Sequence, residues 1–92
     1  MEEKEKAFEE VLAEMLQTFL KKNHDYGNSF SKTFSEFGLV SAVVRMNDKM
    51  ERLKSLLQAQ AKVDESVRDT LMDLANYSVM TIMELAKEMF NN

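Results

Sequence analysis

An all-α fold is predicted from three features of the chain. Its 92 residues include no proline and only two glycines, so little interrupts a helix. Its apolar residues recur at spacings of three and four over three long stretches, the period of a helix with a buried face. Hydrophobic residues make up 45% of the chain, enough for a packed bundle. A core of this length is modest, and oligomerisation is the expected way to bury more apolar surface. The expectation is a single domain over residues 1–92 with three main helices and a short helix in the first connection. Association with further copies, as a homodimer or homotetramer, completes the bundle.

The first helix is expected from about Lys4 to Lys22. Phe8, Val11, Leu12, Met15, Leu16, Phe19 and Leu20 make a core-facing stripe. Acids lead this helix and Lys21 and Lys22 close it, the order that suits the helix dipole. Glu9, Glu10 and Glu14 read as a solvated face.

Asn23 to Gly38, NHDYGNSFSKTFSEFG, forms the first connection. Gly27 suits a residue with positive φ, and Phe30, Phe34 and Phe37 then fall at helical spacing before Gly38, which suits a helix C-terminus. An ordered loop and a short helix are predicted, with the phenylalanines as core in preference to a base-stacking platform. The second long helix runs from about Leu39 to Gln60, with Leu39, Val43, Met46, Met50, Leu53 and Leu57 as its seam. The third opens at about Asp64, a good N-cap with Glu65 in the first turn, and continues to about Phe90. A short link around Ala61–Val63 makes the second and third helices antiparallel neighbours.

The third helix carries the most information. Val67, Leu71, Leu74, Ser78, Ile82, Leu85 and Met89 form one stripe, which predicts a buried face. Glu65, Asp69, Asp73 and Asn76 lie on the other side, and that side continues into Met72, Met80 and Met83. A solvated face does not usually run into three methionines, so this helix is expected to be buried on two sides. Clustered acids in such a place call for a cation, either a metal or an arginine. The methionines read as flexible core filler or an oligomer seam.

Composition excludes several classes. There is no cysteine, hence no disulfide framework, thiol chemistry or thiolate zinc site. No stretch approaches the roughly 18 apolar residues of a membrane span, and the acidic start MEEKEKAFEE is unlike a signal peptide. A cytoplasmic protein without membrane contact is expected. The net charge of −4 argues against binding to nucleic-acid backbone.

On the second long helix, Arg45, Asp48, Lys49 and Arg52 share a face, and Asp48 and Glu51 share a neighbouring one. These could be solvated ion pairs, each contributing tenths of a kcal/mol. Alternatively, antiparallel packing brings the level of Asp48 and Glu51 to that of Asp69 and Asp73. Four carboxylates meeting there would be a hard oxygen set suited to Mg²⁺ or Mn²⁺. Arg45 and Arg52 could instead neutralise Asp48 or grip phosphate oxygens. His24, Asp25, Tyr26 and Asn28 offer donors, acceptors and a ring for a base or ribose.

HDYGNSF, RMNDKMERL and ESVRDTLMDLANY, in that order, resemble the nucleotide modification associated domain family of phages and mobile elements. That family is similar in turn to the all-α NTP pyrophosphatases of the MazG and dimeric dUTPase type. The likeness spans roughly Lys21 to Leu85. It implies a MazG-like nucleotide-binding domain in which helix acids hold Mg²⁺ on a nucleoside triphosphate and water releases pyrophosphate, in phage nucleotide or base metabolism.

Of the pyrophosphatase pattern Glu-Glu-x-x-Glu, only Asp48 and Glu51 keep carboxylates, because Asn47 stands at the first position. Asp73-x-x-Asn76 keeps the spacing of the second motif but ends in an amide, and Asp69 lies one turn earlier. The resemblance thus implies Asp48, Glu51, Asp69 and Asp73 as metal ligands and Glu51 or Glu65 as acceptor of the water proton. Lys49 and Arg52 add positive charge that the pyrophosphatase pattern lacks; with Arg45 they would hold phosphate, and His24, Asp25, Tyr26, Asn28 and Asn76 the nucleoside. The Asn47 and Asn76 departures favour a second reading, a nucleotide-binding accessory protein without hydrolysis. A third reading is a helical oligomeric interaction module whose acids are merely solvated.

Overall fold

The structure, a computed structural model, describes the backbone of residues 2–26, 28–59 and 63–91; side chains at 24–26, 63–65 and 91 lie outside that description. Four helices follow in order: α1 (Glu2–Tyr26), α2 (Ser29–Phe37), α3 (Leu39–Ala59) and α4 (Val63–Asn91). There is no strand among the described residues. The expected all-α architecture is found, with each long helix within four residues of its predicted ends. The expected positive φ at Gly27, the link at 60–62 and the capping side chain of Asp64 lie outside the described residues. No described helix is long and apolar enough to cross a membrane.

The α2–α3 corner is built on Gly38, whose φ of 77° and ψ of −161° lie in a region open essentially to glycine. Its N–H donates to Phe34 O at 2.7 Å, closing α2. Its carbonyl accepts from the Ser41 N–H at 3.1 Å and the Ser41 hydroxyl at 2.8 Å, opening α3. A Cβ at this position would meet nothing within 4 Å, so a side chain is opposed by backbone strain alone. Gly38→Ala is therefore expected to cost about 1–3 kcal/mol. A thermal melt should show it as a fall of several degrees or more.

α3 and α4 form the most extensive helix pair, and α2 folds back onto both. Met46 lies opposite Ser78 and Lys49 opposite Asp73, which fixes the expected antiparallel register. Among the described residues the apolar core is small: Phe34, Ala42 and Met72 are its buried members, and no large side chain is fully buried. α1 crosses α4 through its C-terminal half, where Asn76 Nδ2 donates to Met15 O at 3.2 Å and Arg68 forks onto the Glu14 carboxylate.

Several expected faces are corrected by this packing. On α4 the inward face is Thr70, Met72, Asn76 and Thr81, with Tyr77 and Met80 partly covered. The stripe Leu71, Ser78, Ile82, Leu85 and Met89 points outward. A polar face can turn inward here because Thr70 and Thr81 donate their hydroxyls to Ser66 O and Tyr77 O, one turn back on the same helix. Their hydrogen bonds are satisfied without help from a neighbour. Phe8, Leu12, Leu16 and Leu20 of α1 are likewise exposed, contrary to the core-facing expectation. So are Leu39, Val43, Met50 and Leu57 of α3, which leaves Met46 and Leu53 half-buried in its seam. Of the three phenylalanines expected in the core, only Phe34 is buried, and Phe37 is exposed.

Candidate functional site

A pocket of about 290 Å³ opens where all four helices meet. α1 contributes Phe19, Lys22 and Asn23; α2 contributes Ser29 and Phe30. α3 adds Arg45 and Lys49, one turn apart on one face, and α4 adds Asp73, Asn76, Tyr77 and Met80 from its polar inward face. The volume stands at the low end of the range for small-molecule sites.

The charge in this pocket is concentrated and positive. Lys22 and Lys49, from different helices, both pair with the Asp73 carboxylate, Lys49 at 3.0 Å. With Arg45 there are, among the described residues that line the pocket, three cations against one carboxylate, a local excess of two positive charges in a chain of net charge −4. Asp73 is well covered, its side chain 18% exposed. Burial alone would push its pKa up, but the hydrogen bonds and charges of Lys22 and Lys49 outweigh this and hold it below the ordinary carboxylate value.

A carboxylate whose pKa is lowered on folding adds stability above its unfolded pKa and loses it as pH falls through the folded one. Wild type should therefore exceed Asp73→Asn in melting temperature at neutral pH. The difference should vanish in acid, below the ordinary carboxylate pKa of about 4. Paired melts across pH 2–7, a range chosen to span that value, check it.

Beside the charges stands an aromatic wall. Phe30 stacks on Tyr77 with centroids 5.8 Å apart and planes 17° apart, and on Phe34 at 6.4 Å and 25°. Arg45 lies over the Phe30 ring at 5.4 Å and donates to the Thr33 hydroxyl at 3.3 Å, which holds the guanidinium in place. Asn76 is buried and uses its amide on Met15 O, so its carboxamide is oriented where it lines the pocket. The outer end of the wall is tied down by Ser31, whose hydroxyl donates to Glu84 at 2.6 Å. That bond, followed by Lys87, lowers the Glu84 pKa.

The structure thus gathers only part of the expected site. Arg45, Lys49, Asp73 and Asn76 line the pocket as a group. Arg52 is exposed and does not line it. Asn28 is exposed at the start of α2, where its carbonyl accepts from Lys32 N. The side chains of His24, Asp25, Tyr26 and Glu65 lie outside the described residues.

The expected meeting of four carboxylates does not form. Asp48 and Glu51 reach the right level of α3 but lie well around the helix from the Ala42–Met46–Leu53 seam, exposed, with Glu51 paired to Lys54 at 3.2 Å. Asp69 is exposed on α4. Among the described residues no three His, Asp or Glu side chains could share a metal ion. Asp73, the one acid among the described residues that line the pocket, faces two ammonium groups, surroundings that repel a divalent cation. The described residues therefore do not fit the Mg²⁺ or Mn²⁺ that the resemblance implies.

Sequence reasoning missed Lys22, Phe19 and Tyr77. Lys22 reads along its own helix as a cation completing the dipole, Phe19 as part of a core-facing stripe, and Tyr77 only as the last residue of the third block. Lys22 does follow Phe19 by one turn, which puts both on one face of α1 and is the signal that pointed inward.

No curated protein and no solved structure matches this chain. Residues 22–85, which include every pocket residue except Phe19, match the family model described as Nucleotide modification associated domain 1. The match covers most of the chain, and the protein belongs to that family.

Proposed function

We propose that the four-helix pocket binds a nucleotide directly through its cations and ring wall, without turning it over. The observation that carries this reading is the convergence of Lys22 and Lys49 on Asp73 beside the Phe30–Tyr77 stack. Two flexible ammonium groups and the braced Arg45 guanidinium suit phosphate oxygens. The aromatic wall and the Asn76 carboxamide suit a base, one by apolar and edge-to-face contact with its rings and the other by its donor and acceptor. Asp73 acts as an internal counter-ion that keeps the lysines gathered until phosphate replaces it. The family's description, which names nucleotide modification, fits such a ligand.

The alternative is a Mg²⁺-dependent pyrophosphohydrolase of MazG type. It calls for acids gathered around a metal and a carboxylate held toward water. Asp73 is paired with lysines and Glu51 lies outside the pocket, so the binding reading has the stronger support.

Calorimetric titration of a panel of nucleoside mono-, di- and triphosphates, with and without EDTA, tests the proposal. Pyrophosphate release is followed in parallel. Binding that survives EDTA without release is the expected result. Metal-dependent release would favour the hydrolase, and no binding at all would refute both.

A further inference from the structure

The folded chain leaves far more surface in water than its size warrants. Its accessible surface is 7403 Å², against about 5,500 Å² for a compact monomer of this mass. Its radius of gyration is 15.0 Å, against roughly 12 Å for a compact domain of this length. The excess, about 1,900 Å², falls within what one partner contributes to an obligate interface of roughly 2,000–5,000 Å² in total.

Much of this surface is apolar and organised. Ser78 lies against Met46, so in an antiparallel pair Val43 stands level with Ile82 and Leu39 with Leu85. The helical period puts these residues, together with Met50 of α3 and Leu71 of α4, on one side of the hairpin, away from the pocket. Val43 is 50% and Ile82 65% exposed. The stripes contain no charged residue, so burying this face would desolvate no ion. Two such hairpins laid face to face make a four-helix bundle, which buries all four stripes at once.

We infer that the outer face of the α3–α4 hairpin is the interface between two copies of this chain. A second copy satisfies both observations, the amount of missing burial and the absence of charge, and a two-fold axis would set the same two-helix face of each copy against the other. The pocket opens away from this face, so association and ligand binding can be measured separately.

Sedimentation of the full chain at micromolar concentration tests the inference, with far-UV circular dichroism confirming that each variant stays helical. Wild type should sediment as a dimer. Val43→Glu and Ile82→Glu should raise its dissociation constant at least about thirtyfold, the effect of losing a central apolar contact. Leu12→Glu, on the exposed stripe of α1, should leave the dimer intact. If Ile82→Glu loses its helical signal, Ile82→Gln carries the same test. A monomeric wild type would overturn the inference, as would dispersal by Leu12→Glu with Ile82→Glu still dimeric.

Discussion

Replacing Lys22 and Lys49 together with alanine is expected to weaken nucleotide binding about a hundredfold or more, since each charge-assisted hydrogen bond contributes about 1.5–3 kcal/mol. The two lysines come from α1 and α3 and meet only because both helices lean on α4 at Asp73. Either substitution alone should have the smaller effect, because the other ammonium remains beside Asp73 and can still meet phosphate. The loss should grow with the number of phosphates on the ligand and shrink in high salt, as expected of a charge contact open to solvent. Titration of mono-, di- and triphosphates into the double variant measures it. Equal affinity for wild type and double variant would place the nucleotide elsewhere.

Phe34→Ala is expected to cause the largest loss of stability, about 3–5 kcal/mol. Phe34 is 3% exposed and is one of three buried apolar residues among those described, so its removal empties much of the small core. It also ends the stack that runs through Phe30 to Tyr77, and the pocket wall should loosen with it. A domain is held by about 5–15 kcal/mol in all, so partial unfolding at physiological temperature is expected. Chemical denaturation should register the loss as a lower midpoint. An unchanged midpoint would mean that the fold rests on contacts other than this core.

Comparison of residues shows how much was legible beforehand. Helix positions were readable, because periodicity and the shortage of helix breakers are local properties. Gly38 likewise announced its corner, since few other residues reach its backbone angles. Helix faces were less readable. On α4 an apolar stripe and a polar stripe compete, and Thr70 and Thr81 can be buried because their hydroxyls bond back to their own helix. Hydropathy does not register that compensation, and apolar faces that this fold leaves exposed look the same in sequence as faces that enter its core.

The site divides along similar lines. Arg45, Lys49, Asp73 and Asn76 were recognisable as a polar group on two neighbouring helices, and they do line one pocket. The sign of the site was not. Its charge depends on Lys22, which lies 51 residues from Asp73 and enters through the crossing of α1. Asp48 and Glu51 illustrate the converse: antiparallel pairing sets their level, but only the rotation of α3 about its axis decides whether they face α4.

Asp73 tests the central claim most directly, because the two readings give it opposite effects. Nucleotide should be titrated into wild type and Asp73→Asn, each with and without EDTA. As a counter-ion that competes with phosphate for Lys22 and Lys49, Asp73 should weaken binding. Its neutralisation should therefore tighten affinity by roughly tenfold, or about 1.4 kcal/mol, with no dependence on chelator. Loss of binding in Asp73→Asn, together with loss in wild type on adding EDTA, would instead make Asp73 a metal ligand and contradict the account.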